Sequence, residues 1–219
     1  MIPRICRNSK MVFTVSGFSK NEIIKHYHIP ESKINVVPNG LPEMITGNGP
    51  VIDGKYLLMT GAGNPRKNAM SVIRHISLIE QKGYKLVVLK NNADVFATAA
   101  LPEHPAIVYL NDVTNTDYFF LLKNAKALIY PSLYEGFGIP ILESLCLGTP
   151  VIATDLDVFH ESFGNLPLYF RPEDAGSFEK ALQIIEKKEI PAAEIKQLKN
   201  NFNFDHAASQ VLKHLETLQ

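Results

Sequence analysis

The chain has little of what metal sites and disulfide frameworks are built from: two cysteines in 219 residues. Cys6 and Cys146 stand far apart without metal-ligand spacing, which argues against zinc and for a reducing compartment. His26, His28, His75, His160 and His206 show no metal spacing either, and no acidic metal-binding pair is evident, so no metal is expected. Net charge is also missing, because 22 basic residues balance 22 acidic ones. That excludes a field able to steer nucleic acid or an anionic membrane, and leaves local basic spots as the informative charges. No apolar run approaches the roughly 20 residues of a membrane-spanning helix. Arg4, Arg7 and Lys10 are not followed by the apolar segment of a signal peptide. A cytoplasmic protein is expected, with no internal repeat and no low-complexity stretch.

What is present is enough apolar residue, 46% of the chain, to bury a full core and fill one large or one and a half ordinary domains. Apolar, β-branched runs recur at Tyr56–Met59, Leu86–Leu89, Ile107–Leu110, Ala127–Tyr130, Val151–Ala153 and Leu168–Phe170. Amphipathic segments separate them. Ala69, Val72, Ile73, Ile76 and Ile79 share one helical face, as do Phe119, Leu122 and Ala125. Thr114 with Asp117 reads as a capping box. This alternation predicts an α/β fold with a doubly wound parallel sheet. Upstream, Met11–Ser16 reads as a strand and Ser19–Ile29 as a helix opened by a Ser19…Glu22 capping pattern. They precede a loop at Thr46–Pro50. At the other end Phe204, Ala208, Val211, Leu215 and Leu218 form one apolar stripe.

The most informative stretch is Tyr134-Glu-Gly-Phe-Gly-Ile-Pro-Ile-Leu-Glu143, which follows the strand ending at Tyr130. Gly136 and Gly138 let backbone N–H groups approach a ligand, and Pro140 suits a first helical turn. The start of that helix offers unpaired donors and a positive dipole end to a phosphate. Glu135 before the helix and Glu143 inside it suit sugar and ribose hydroxyls as acceptors. The plainer reading is a glycine-rich turn of the kind common in parallel α/β proteins, with a glutamate as a dipole partner. A second element, Arg66-Lys67-Asn68, follows the strand ending near Thr60 and sits at the mouth of a helix. Two cations there oppose the helix dipole, which favours ligand binding over a solvated basic turn. Arg grips phosphate oxygens through two donors and Lys supplies a point charge.

Pro131 to Glu143, followed by Gly148-Thr-Pro-Val-Ile-Ala153, resembles the signature of retaining glycosyltransferases of group 1, or family 4, which have the double-Rossmann GT-B architecture. Val12–Ser16 with Phe18–Lys20 resembles the end of that family's first domain. Val36–Gly40 resembles its interdomain linker, Gly61–Asn68 its diphosphate loop, and Phe202–Leu215 its C-terminal helix. The resemblance implies a Rossmann-like donor domain over 51–202, a linker over 34–50, the end of an N-terminal acceptor domain over 1–33, and a crossover helix over 203–219. In the family that helix packs back on the first domain; the alternative is a helix that covers its own domain.

The resemblance also implies the chemistry. Glu135, Arg66 and Lys67 would serve catalysis, Glu135 on hydroxyls of the donor sugar and the two cations on the diphosphate. Glu143 would take the ribose hydroxyls. Gly61 and the backbone of Gly136, Phe137, Gly138 and Ile139 would meet the diphosphate and sugar. The base would lie near Asn111 and Val113, where Asn111 departs from the family's usual glycine. No cofactor is implied, only a nucleoside-diphosphate sugar, UDP- or GDP-linked, as donor substrate. Transfer would proceed with retention by same-face attack, without a nucleophilic carboxylate, to a glycan or lipid-linked acceptor. That acceptor would allow at most peripheral contact with the inner face of the membrane. A glycosidase reading of the two glutamates conflicts with their place beside a phosphate cradle. Three readings stand: the donor half of a transferase, a binding module or split subunit that needs a separate acceptor domain or self-association, and a nucleotide-sugar epimerase of the same architecture.

Overall fold

The computed structural model describes residues 2–90 and 101–217, so Leu218 of the apolar stripe lies outside the described residues. Among the described residues, eight strands alternate with ten α-helices. The strands are β1 (Val12–Thr14), β2 (Ile34–Val36), β3 (Lys55–Thr60), β4 (Tyr84–Lys90), β5 (Ile107–Asn111), β6 (Ala127–Tyr130), β7 (Val151–Thr154) and β8 (Leu168–Phe170). The helices are α1 (Ile2–Asn8), α2 (Gly17–Tyr27), α3 (Met70–Ile73), α4 (Ile76–Gln81), α5 (Asn115–Asn124), α6 (Ile139–Cys146), α7 (Asp157–Phe163), α8 (Ala175–Ile185), α9 (Ala192–Asn201) and α10 (Phe204–Glu216).

β3 to β8 form one parallel sheet in the order β5-β4-β3-β6-β7-β8. The chain winds outward from β3 through β4 to β5, then crosses back to β6 and winds the other way. The reversal lies between β3 and β6, and in such sheets the carboxyl ends of the strands at a reversal leave a crevice for a ligand. Helices cover both faces, so β6 and β7 are buried along their whole length and read as unbroken apolar runs. One core packs Leu58, Leu128, Ile141, Leu142 and Phe159, and the other packs Leu57, Met59, Val72, Ile129 and Leu182. Cys146 is buried in the first core, where burial pushes its thiol up to about 11.

Three local expectations change. The apolar face from Ala69 to Ile79 is carried by two short helices, α3 and α4, broken at Arg74 and His75. Val72, Ile73 and Ile79 stay buried across the break, because periodicity reports which residues face inward and not whether the hydrogen-bond ladder is continuous. Helix α2 starts earlier than the Ser19…Glu22 pattern implies: Ser16 is its N-cap and accepts from the Ser19 N–H. The Glu161 carboxylate on α7 accepts from the Gly17 and Phe18 N–H groups at 2.6 and 2.8 Å, so a distant residue caps the extra turn. The strand expected over Met11–Ser16 is limited to Val12–Thr14 and pairs in parallel with β2.

Candidate functional site

The crevice at the reversal is built from four chain segments. The turn leaving β3 holds Gly61, whose φ of +71° favours glycine, and a single 3-10 turn at Pro65–Lys67 closed by a left-handed Asn68. Lys67 therefore sits in a tight turn before α3. The segment leaving β6 runs through Pro131 to Gly138, the N-cap of α6, at a φ of +108°. A Cβ at Gly138 would lie 2.9 Å from the Phe159 ring, so close packing as well as conformation calls for glycine. Pro140 falls in the first turn of α6, where its missing N–H costs nothing. Thr114 caps α5 in a two-way box with Asp117 and sets Asn115 and Tyr118 toward the crevice.

A cavity of about 360 Å³ results, lined by Thr60, Gly61, Lys67, Leu89, Val113, Asn115, Tyr118, Ile139, Pro140 and Glu143. A larger hollow of about 490 Å³ lies between α7 and α9, but its lining includes Glu161 and Glu194 and no lysine or arginine. An anionic ligand favours the first. Among the described residues no group of three or more His, Cys, Asp or Glu is placed to hold a metal, and no helix is long and apolar enough to cross a membrane.

Five of the expected residues, Gly61, Lys67, Val113, Ile139 and Glu143, meet in this cavity. Glu135 and Arg66 stand behind its lining. Lys67 Nζ lies 2.7 Å from Glu135 Oε1, and Arg66 Nη1 lies 2.9 Å from Glu135 Oε2. The Tyr130 hydroxyl donates to Glu135 Oε1 at 3.0 Å and accepts from Lys67 at 2.6 Å. Burial pushes the Glu135 carboxyl up, but the Lys67 hydrogen bond and charge outweigh it, with Arg66 adding to the pull, and the group stays below the ordinary glutamate range. The Ser132 hydroxyl is buried beside this cluster; it contributes a smaller pull on Glu135 without meeting a partner at hydrogen-bonding geometry.

Glu143 has the opposite electrostatics. Burial raises its carboxyl, and one hydrogen bond from Tyr118 to Oε2 at 2.7 Å only partly offsets that. Tyr118 itself is driven well above its ordinary value by burial and by the Glu143 charge. The Gly136 carbonyl accepts from the Ser16 and Ser19 hydroxyls at 2.7 and 3.2 Å, which ties the glycine loop to the start of α2. The Phe137 side chain packs on Phe163 and Phe202 in the core, leaving only its backbone for a ligand. Asn111 ends β5 in an exposed position and is not part of the cavity wall. The left-handed residue of that corner is Asp112, with φ of 54°.

Sequence reasoning missed Thr60, Leu89, Asn115 and Tyr118 as lining residues, and read Pro140 only for its place in a first helical turn. Thr60 and Leu89 lie at or beside the carboxyl ends of β3 and β4, a position that marks cavity residues once strand order is known. Tyr118 precedes Phe119 on α5, and its hydroxyl is its only departure from a core residue.

The family model described as glycosyl transferases group 1 matches residues 42–202. The O-antigen chain mannosyltransferase RfbU of Salmonella typhimurium is 30% identical over 214 residues, covering 94% of this chain and 59% of that protein. The O-antigen chain mannosyltransferase B of Escherichia coli is 26% identical and covers 96% of this chain and 61% of that protein. The chain thus spans about three fifths of the length of these two relatives. Among solved structures, Anabaena HepE in complex with UDP-glucose superposes with a TM-score of 0.81 at 13% identity, over 98% of this chain and 67% of that one. At that identity the likeness is one of fold.

Proposed function

This chain belongs to the glycosyl transferases group 1, and we propose that its cavity binds a nucleoside-diphosphate sugar, UDP- or GDP-linked, as the donor side of a retaining glycosyltransferase. The observation that carries the reading is the lining itself: Lys67 and the start of α6 face the same 360 Å³ space as Glu143. A cation and a helix N-terminus suit a diphosphate, and a carboxylate with one oxygen not engaged by Tyr118 suits ribose hydroxyls. Leu89 and Val113 give the base an apolar wall beside Asn111. The backbone of Gly136, Phe137, Gly138 and Ile139 then lies against the diphosphate and sugar, and Glu135 against a sugar hydroxyl. The mannosyltransferase names of the two relatives support mannose as the sugar moved.

In this reading the protein's part in the reaction is charge stabilisation. As the bond from the anomeric carbon to the phosphate breaks, negative charge grows on the leaving diphosphate. Lys67 and the α6 N–H groups are fixed where that charge appears, so no reorganisation is needed at the moment of reaction. The acceptor hydroxyl attacks from the same face and its proton goes to the departing phosphate oxygen, which gives retention without a nucleophilic carboxylate. The charge of Lys67 also makes a metal unnecessary. Residues 51–202 would form the donor domain, with 1–33 and 203–219 joined through 34–50 to an acceptor-binding part that recognises a glycan or lipid-linked hydroxyl at the cytoplasmic membrane face.

Calorimetric titration with UDP, GDP and ADP, each with and without a chelator, tests the proposal. One of them should bind with unchanged affinity in chelator. A chain that binds none overturns the donor reading, and binding lost on chelation overturns the metal-free part.

A further inference from the structure

The turn leaving β3 and the segment leaving β6 are stitched together residue by residue. The Leu133 N–H donates to the Arg66 carbonyl at 2.9 Å. Arg66 Nη1 donates to the Tyr134 carbonyl at 2.6 Å and meets Glu135 Oε2 at 2.9 Å. That nitrogen is therefore held by the segment leaving β6 through one hydrogen bond and one ion pair. Lys67 is placed differently. Its ammonium has three hydrogens; one goes to Tyr130 and one to Glu135, and the third is left for the cavity it lines. Lys67 Nζ also lies 4.5 Å from the centre of the Tyr130 ring, so it is held from the side by an aromatic face.

We propose that Arg66 is a positioning residue and that Lys67 alone of the two cations touches the donor's diphosphate. Arg66 holds Glu135, and Glu135 with Tyr130 holds Lys67 with one N–H toward the cavity. This rests on the donor-binding reading above. The division of labour follows from side-chain chemistry. The planar guanidinium is preorganised to bridge a carbonyl and a carboxylate, whereas a lysine is a mobile point charge that must be ordered before it can serve a ligand. A free lysine gives up rotamer freedom when it meets phosphate, and here Glu135 and Tyr130 have already removed that freedom. Burial agrees: the Lys67 side chain is 17% exposed and that of Arg66 43%, yet it is Lys67 that lines the cavity. Glu135 accepts three hydrogen bonds or ion-pair contacts of the roughly four its carboxylate offers, so it keeps about one site for a sugar hydroxyl.

The test is a mutant cycle read by calorimetry with whichever of UDP, GDP and ADP binds best, and by thermal unfolding of the same proteins. The set is wild type, Lys67→Ala, Arg66→Ala, Arg66→Lys, Glu135→Gln and the double variant Arg66→Ala/Glu135→Gln. Lys67→Ala should lose on the order of 100-fold in affinity, as for a charge-assisted bond to phosphate. Arg66→Ala should lose about tenfold, Arg66→Lys should not rescue it, and the loss should shrink to less than about twofold when Glu135 is already Gln, because Arg66 then has no carboxylate charge to act through. A loss that stays tenfold in the Glu135→Gln background, or full rescue by Arg66→Lys, means that Arg66 meets phosphate directly and overturns the inference. An Arg66→Ala variant that melts earlier but binds as wild type also overturns it, since the residue would then be only structural. If the wild type binds no nucleoside diphosphate, the donor reading falls and this inference with it; additivity of Arg66 and Glu135 in melting would show separately that the strut itself is absent.

Discussion

Glu143 and Glu135 sit on the two sides of one site with carboxyl groups shifted in opposite directions, and this gives them opposite signatures in stability. A carboxyl that is raised on folding makes the folded state the tighter proton binder. The contribution of Glu143 is therefore largest at low pH and is lost as pH rises from the ordinary carboxylate range through its raised value. Glu135 is lowered, so its contribution is present above the ordinary range and is lost as pH falls through its depressed value. At pH 7.5 Glu143→Gln should raise the melting temperature by ~2–4 °C for each kcal/mol regained, while weakening nucleoside diphosphate binding. Glu135→Gln should lower the melting temperature. Melts paired with calorimetry check both, and a Glu143→Gln protein that is both less stable and an undiminished binder would refute the assignment. Binding should also weaken as pH falls, because Glu143 takes up its proton at a higher pH than an ordinary glutamate, and that part of the pH profile should disappear in Glu143→Gln. At Gly138, substitution by alanine meets a left-handed backbone and the Phe159 ring together; a loss of about 1–3 kcal/mol is expected in urea unfolding.

At the scale of the element, caps decide where helices start, and they come from two sources. The Thr114/Asp117 box on α5 is local and was legible in the sequence. Thr114→Ala should cost about 1 kcal/mol. It should also reduce nucleotide affinity a few-fold, since Asn115 and Tyr118 ride on that helix; urea unfolding and calorimetry measure the two effects. The cap on α2 is not local. Ser16 and Ser19 both have suitable spacing, and the choice falls to Ser16 because Glu161 supplies acceptors for the Gly17 and Phe18 N–H groups from another helix. Glu161→Ala should speed amide exchange at the start of α2 more than in β6 or β7, by an amount matching about 1–2 kcal/mol of lost capping. Equal protection in both proteins would show that the carboxylate is not a cap. The break between α3 and α4 was illegible for a related reason: both sides of it face the same core, so the apolar pattern runs through it unchanged.

At the scale of the whole molecule, the apolar stripe on α10 is only partly covered. Phe204 and Val211 of the stripe, with Ala207 beside them, line a groove with Phe13, Val37, Pro38 and Gly40. Phe204 and Leu215 remain 61% and 44% exposed, and Leu212, outside the stripe on the same helix, is 61% exposed. Apolar surface grouped on one helix favours association, so light scattering should show mass rising with protein concentration. Replacing Phe204 and Leu212 by serine and glutamine should reduce that rise without lowering nucleotide affinity. A monomer at all concentrations would mean that the exposed side chains are too dispersed to act as a patch.

By itself the sequence determined the six strands of the main sheet, the helix that follows the glycine loop, the α5 cap and the identity of the two glutamates and two cations. These are properties of period, of capping geometry and of a motif contiguous in the chain, and none needs a distant partner to be read. Only the tertiary structure decided what those groups touch. Strand order set β3 beside β6, which brought Arg66 and Lys67 to a Glu135 that lies far along the chain from both. The same order put Leu89, Val113 and Tyr118 around Glu143 and left Asn111 outside the cavity wall. A local pattern carries the residue types a site needs. The pairing of charges, the direction of each pKa shift and the hydrogen left over on Lys67 depend on neighbours that only the fold of the sheet supplies.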